Sequence, residues 1–151
     1  MNICGRCNVN KPDEDYFKSQ LDRANRKRHK IWCKICMHDY QKTNTANMRR
    51  MVFVLLCGNN KPLCQCCGEI RDEFLTLDHI NGRKSHEKGM YDFTLYRHIL
   101  DERKNGIDIT KSYRVLCINC NFSLGMRGYC PHEREREDEK RLLDSLEWKV
   151  A

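Results

Sequence analysis

Residues 113–121 read Tyr113-Arg114-Val115-Leu116-Cys117-Ile118-Asn119-Cys120-Asn121, a short apolar run ending in a two-cysteine knuckle and an asparagine. Tyr113 to Leu116 has the β-branched and aromatic content of a strand, and a helix is predicted to begin at Asn121. A companion segment lies upstream. Cys64-x2-Cys67-Gly68 is followed by Phe74-Leu75-Thr76-Leu77, a second short strand, which runs into Asp78-His79-Ile80 and the turn Asn81-Gly82. Cysteines two residues apart have the spacing of a tetrahedral thiolate site, because such a knuckle lets both sulfurs reach one zinc ion about 2.3 Å away. An ion gripping both knuckles brings the end of the first strand to the start of the helix, although 41 residues separate His79 from Asn121.

That meeting point collects chemistry. Asp78 and Asn121 offer a carboxylate and an amide oxygen, hard ligands for Mg²⁺ or another divalent cation that keeps its other positions for water and phosphate oxygens. His79 supplies a neutral imidazole able to take a proton from water. Phosphodiester hydrolysis needs an activated water and a cation that stabilises charge on the phosphate and the departing oxygen. An Asp-His pair alone carries little information; its place between two knuckles, with Asn121 directly after the last cysteine, carries much more.

The remaining cysteines extend the pattern. Eleven occur in 151 residues, and eight form four pairs of the same spacing: Cys4/Cys7, Cys33/Cys36, Cys64/Cys67 and Cys117/Cys120. Nearest-neighbour pairing gives two closed Cys4 zinc sites, one from the first two pairs and one from the last two. Such sites hold shape and do not catalyse. Cys66 crowds the third knuckle and is an alternative to Cys67 as ligand, while Cys57 and Cys130 are left over as buried small hydrophobes. Charged residues make up 32% of the chain and mean hydropathy is −0.79, so a large apolar core is excluded and the metal is expected to supply much of the folding free energy.

Four segments follow: a Cys4 zinc module over 1–40, a linking helix over 41–58, the unit bearing Asp78, His79 and Asn121 over 59–132, and a charged C-terminal helix over 133–151. In the first, Lys11-Pro12 is a turn and Tyr16-Phe17 an apolar plug. Met48, Met51, Val52, Leu55 and Leu56 recur at helical offsets within a pattern running from about Met37 to Cys57, with Gly58 placed as C-cap. Thr94 to Lys104 is predicted helical. Leu142, Leu146 and Val150 form a thin stripe that suits core packing or a homodimer.

Net charge is +7 and concentrated at the N-terminus, where residues 1–50 carry 12 Lys/Arg against 5 Asp/Glu. That is the footprint expected for a nucleic-acid partner. The run Arg23, Arg26, Lys27, Arg28 and Lys30, beside Trp32, is the leading candidate for DNA contact. Arg83, Lys84, Lys88, Arg114 and Arg127 lie near the centre in sequence and would neutralise phosphates without giving sequence preference. The longest apolar run, Met51 to Cys57, is far short of the roughly 18 residues of a membrane helix. With a cysteine knuckle starting at Cys4 in place of a leader, the expectation is a cytoplasmic protein, neither secreted nor membrane-bound.

The stretch from Cys64 to His132 resembles the HNH (His-Me finger, ββα-metal) endonucleases, particularly the phage-type group related to the recombination endonuclease that resolves branched DNA. Leu77-Asp78-His79-Ile80-Asn81 matches that family's first motif and Val115-Leu116-Cys117-x2-Cys120-Asn121 its last. Gly125, Gly128 and Cys130-Pro131-His132 are similar to its closing segment. Residues 4–44, with Lys11-Pro12, Phe17 and Cys33-Lys34-x-Cys36, resemble a small zinc module found ahead of such nucleases.

The resemblance implies an α+β protein with a small zinc-stabilised ββα-metal nuclease domain. It implies DNA cleavage to 5′-phosphate and 3′-hydroxyl ends, Asp78 and Asn121 as ligands of the catalytic cation, and His79 as general base. Phage origin would place the protein in the host cytoplasm. His86 resembles a histidine of the phage group that would touch phosphate. The family's middle asparagine falls at Ser112, nine residues before Asn121, so the support behind His79 differs here. The alternative reading is a zinc-dependent nucleic-acid-binding protein without catalysis.

Overall fold

The computed structural model describes residues 1–27, 31–59, 61–82, 89–91 and 93–147. The protein is α+β: among the described residues there are five α-helices and two small antiparallel sheets. It divides into two compact units, Met1–Met48 and Arg49–Ala151. No helix among the described residues is long and apolar enough to cross a membrane.

The first unit opens with a two-residue hairpin, β1 (Asn2–Ile3) against β2 (Asn10–Lys11), with Asn2 opposite Lys11 and Ile3 opposite Asn10. α1 (Lys18–Lys27) follows, and α2 (Lys34–Cys57) begins inside the second cysteine knuckle, three residues before the predicted start. A core of Cys4, Tyr16, Ile31, Cys33 and Cys36 sits between them, with Leu21 and Trp32 against it. Tyr16 is the expected plug, its hydroxyl donating to the Asn2 carbonyl at 2.7 Å. Phe17 is not: it is exposed, resting near the His38 ring and the Lys34 ammonium. Three cysteines make up most of a core this small, Tyr16 and Ile31 complete it, and Cys7 stays exposed at its edge.

In the second unit β3 (Leu75–His79) pairs antiparallel with β4 (Tyr113–Cys117), Leu75 opposite Cys117 and His79 opposite Tyr113. α3 (Phe93–Lys104) lies between them in sequence, α4 (Ile118–Arg127) continues directly from β4, and α5 (Pro131–Glu147) closes the chain. α4 therefore starts three residues before the expected Asn121. Cys117 is its N-cap, with its sulfur accepting from the Cys120 N–H. Gly128 ends it at φ +75°, the left-handed geometry in which a helix C-terminus favours glycine.

The core joins Val52, Phe53 and Leu56 from the end of α2 to Leu75, Leu95, Ile99, Ile109, Tyr113, Val115 and Leu116. The stripe predicted on α2 is rotated. Met51 and Leu55 are exposed, whereas Arg49, Val52, Phe53 and Leu56 form the inward row at offsets of 3, 4 and 7. Arg49 takes a place in that row because its guanidinium finds acceptors, donating to the carbonyls of Asp72 and Leu75 and to the Asp72 carboxylate. Gly58 caps the helix as expected, its N–H reaching the Val54 carbonyl. On α5 Leu142 is 62% exposed, so it is not packed in the core; the side chain of Leu146 and all of Val150 lie outside the described residues.

Candidate metal centres and the site beside them

The two units build their cysteine groups by one plan. In each, the first knuckle is a tight loop: the Cys4 N–H donates to the Val9 carbonyl, and the Asn8 N–H to the Cys4 carbonyl. Sixty positions on, the Cys64 N–H donates to Glu69 and the Gly68 N–H to Cys64. Asn8 (φ +58°) and Gly68 (φ +79°) take the same left-handed turn, which asparagine and glycine tolerate best. Each second knuckle lies at a helix N-terminus, Cys33/Cys36 on α2 and Cys117/Cys120 on α4. The sulfurs of Cys4, Cys7, Cys33 and Cys36 lie within 4.8 Å of one another, as do those of Cys64, Cys67, Cys117 and Cys120. Both groups can hold a metal ion, and Cys67 rather than Cys66 completes the second.

Electrostatics prepare one thiolate in each group. Burial pushes the Cys4 thiol up, but the backbone N–H groups of Cys7, Cys33 and Arg6 outweigh it and bring the group down to about 6. At Cys64 burial is likewise overcome, by the N–H groups of Cys67, Cys117 and Cys66, to about 7. Cys36 moves the other way, pushed up to about 12 by burial and by the neighbouring cysteines. These are sulfur clusters in which backbone donors stabilise the first negative charge, and a cation is needed to offset the others.

The β3–β4 ribbon carries the other predicted residues. Asp78 lies opposite Arg114, whose Nε donates to its Oδ2 at 2.7 Å. Strand alternation puts Thr76 on the face of Asp78, about 6.8 Å along the strand. From α4, the Asn121 Nδ2 donates to the Thr76 Oγ1 at 2.9 Å, and that hydroxyl donates to the Leu116 carbonyl at 3.0 Å. With its amide nitrogen engaged, Asn121 keeps Oδ1 as the end able to meet a cation. Asn121 and Asp78 are thus brought to one face of the ribbon.

His79 is the last residue of β3, half-buried, its ring edge-on to Tyr113 with centroids 5.3 Å apart. As the next residue along the strand, it alternates to the opposite face from Asp78. Just past the strand end, the Ile80 N–H donates to the Ser112 carbonyl at 3.0 Å. The backbone of Ser112 steadies the residue after His79, at the position where the resemblance expects an asparagine.

Of the predicted DNA-contacting residues, Arg127 is exposed at the end of α4, and Arg114 is occupied by Asp78. Arg28, Lys30, Arg83, Lys84 and His86, with Lys88, lie outside the described residues, as do the side chains of Arg23, Arg26 and Lys27. Near Trp32 the described cation is Arg6, its guanidinium 5.3 Å from the indole centroid.

One constellation escaped the sequence reading. Cys66, Cys120, Cys130 and His132 offer ligand atoms within 4.8 Å of one another. Cys130 is buried as expected, but its neighbours make it more than a small hydrophobe. The signal was present in Cys130-x-His132, a ligand pair whose distance in sequence from Cys66 concealed the match. Comparison of the chain with protein families, curated proteins and solved structures finds no match.

Proposed function

We propose that this protein is a zinc-stabilised, metal-dependent DNA endonuclease of the HNH kind, with its ββα-metal centre in residues 59–132. The observation that carries the reading is the Asn121–Thr76 hydrogen bond, which sets an amide oxygen from α4 on the same face of β3 as the Asp78 carboxylate. Two hard oxygen donors suit Mg²⁺, and the His79 imidazole at the end of the same strand is the candidate base for water. The two Cys4 groups are read as closed structural zinc sites, since all-thiolate tetrads favour that ion.

Asp78 and Asn121 would hold the divalent cation, which when bound stabilises negative charge on the phosphate and the leaving 3′ oxygen. His79 takes the proton from the attacking water. Thr76 fixes the Asn121 amide, and the Ser112 carbonyl holds the chain after His79. Arg114 keeps Asp78 oriented and compensated until substrate and cation arrive. The basic N-terminal module, from Arg23 to Lys30, tethers DNA through its phosphates.

The Asp78–Arg114 pair also favours one rival: a carboxylate already neutralised suits a zinc-dependent nucleic-acid-binding protein without catalysis. Nicking of supercoiled plasmid separates the two. Wild-type protein with Mg²⁺, Mn²⁺ or Ni²⁺ is expected to nick, and His79→Ala to lose about 10²–10⁴-fold in rate while still binding DNA. Failure of the wild type to cleave with any of the three cations would leave the binding protein as the reading.

A further inference from the structure

The second unit contains more zinc ligands than one tetrahedral ion can use. Cys64, Cys67, Cys117 and Cys120 make one complete set, and Cys66, Cys120, Cys130 and His132 make another, with Cys120 common to both. From the Cys120 Sγ to the His132 Nδ1 is 3.5 Å, from the Cys130 Sγ to the same nitrogen 3.5 Å, and from Cys66 to Cys130 sulfur 3.4 Å. Bond lengths of about 2.3 Å to sulfur and 2.0–2.1 Å to nitrogen give tetrahedral edges of about 3.5 Å for S···N and 3.8 Å for S···S. The two S···N edges match a shared ion, and the sulfurs need only move apart slightly.

We propose that the second unit holds two zinc ions: one in the Cys64/Cys67/Cys117/Cys120 group, and a second bound by Cys66, Cys130 and His132, with the Cys120 thiolate bridging both. Cys66, Cys120 and Cys130 are all at least nine-tenths buried, and His132 completes the set from its exposed side. Six thiolates around two dications carry excess negative charge, and a cation is supplied. Arg136, one turn after His132 on α5, donates to the Cys66 carbonyl and sets Nη2 3.6 Å from the Cys66 sulfur. The second ion pins the start of α5 to the knuckle at Cys66, fastening a helix whose described outer residues are almost all exposed.

Native mass spectrometry of the full chain, saturated with zinc, tests the count. Three ions per chain are expected, one in the first unit and two in the second. His132→Ala should hold two, and His132→Cys, which restores a ligand, should again hold three. A wild-type count of two overturns the proposal, whether the missing ion is traced to Cys67→Ser or to Cys66→Ser. So does a Cys66–Cys130 disulfide, seen as the loss of two hydrogens, or a count equally lowered by both His132 variants. Cadmium-113 substitution tests the bridge: two resonances of the second unit should be mutually coupled through the Cys120 sulfur, and uncoupled signals would exclude sharing. Ion counts need no DNA, so this result stands apart from the presence or absence of nuclease activity.

Discussion

Asp78 and Arg114 face each other across the β3–β4 ribbon, and the guanidinium Nε meets the carboxylate Oδ2 at 2.7 Å. Their side chains are 16% and 30% exposed, so the pair is shielded without being buried. Loss of the guanidinium leaves the carboxylate partly desolvated and uncompensated. Arg114→Met is expected to lower stability by about 1–2 kcal/mol, read from the urea midpoint, with Asp78→Asn in the same chain recovering part of the loss. Because Asp78 is also the proposed cation ligand, Mg²⁺ should raise the melting temperature of Arg114→Met more than that of the wild type. An equal rise in both would separate Asp78 from the cation.

Thr76 is a positioning residue in the proposed centre. Its hydroxyl accepts from the Asn121 amide and donates to the Leu116 carbonyl, linking α4 to both strands. Thr76→Val keeps the branched shape and removes both bonds. Partners behind a metal ligand are typically worth about 10–100-fold in metal affinity or activity. The expected result is a higher Mg²⁺ concentration for half-maximal nicking, with Thr76→Ser restoring most of the loss. A lower rate at unchanged Mg²⁺ dependence would assign Thr76 to packing alone.

Zinc uptake by the first unit should release fewer than four protons per ion at neutral pH. Cys4, brought down to about 6, is already largely thiolate there, whereas Cys36, pushed up to about 12, gives up its proton on binding. The sign is set by linkage: the bound state carries fewer protons, so affinity rises with pH. As pH falls through about 6, Cys4 protonates and its proton joins those released. Calorimetry of the isolated binding event in buffers of different ionisation enthalpy reads this count. Four or more protons at pH 7.4 would mean that the backbone donors do not hold Cys4 as a thiolate.

Much of this arrangement was legible because it rests on short-range patterns. Four identical cysteine spacings announced the knuckles, and the runs before Asp78 and Cys117 announced β3 and β4. Relations set by register were hidden. That Arg114 pairs with Asp78 follows from Leu75 lying opposite Cys117, and a slip of one residue would have turned Arg114 to the other face. Adjacent cysteines look like competitors for one ion in the sequence, yet the chain sends Cys66 and Cys67 to different groups. The inward row of α2 differs from its apolar pattern for a related reason. Counting only apolar residues excluded Arg49, whose place in the inward row depends on acceptors supplied by a later part of the chain.

Arg49 therefore offers a stability test independent of any metal or substrate. Its guanidinium donates to the Asp72 carboxylate, to the Asp72 carbonyl at 2.7 Å and to the Leu75 carbonyl at 2.8 Å, and it lies 4.5 Å from the Phe53 ring centroid. These contacts hold the turn before β3 and the first residue of the strand that ends at His79. Arg49→Met preserves the stem and removes the donors, leaving acceptors at a part-buried position. It should cost about 2–3 kcal/mol in urea unfolding, and Arg49→Lys somewhat less, since one ammonium cannot serve the same fork of acceptors. If the methionine variant matched the wild type, β3 would be held by its pairing with β4, its bond to α4 and the core, without help from Arg49.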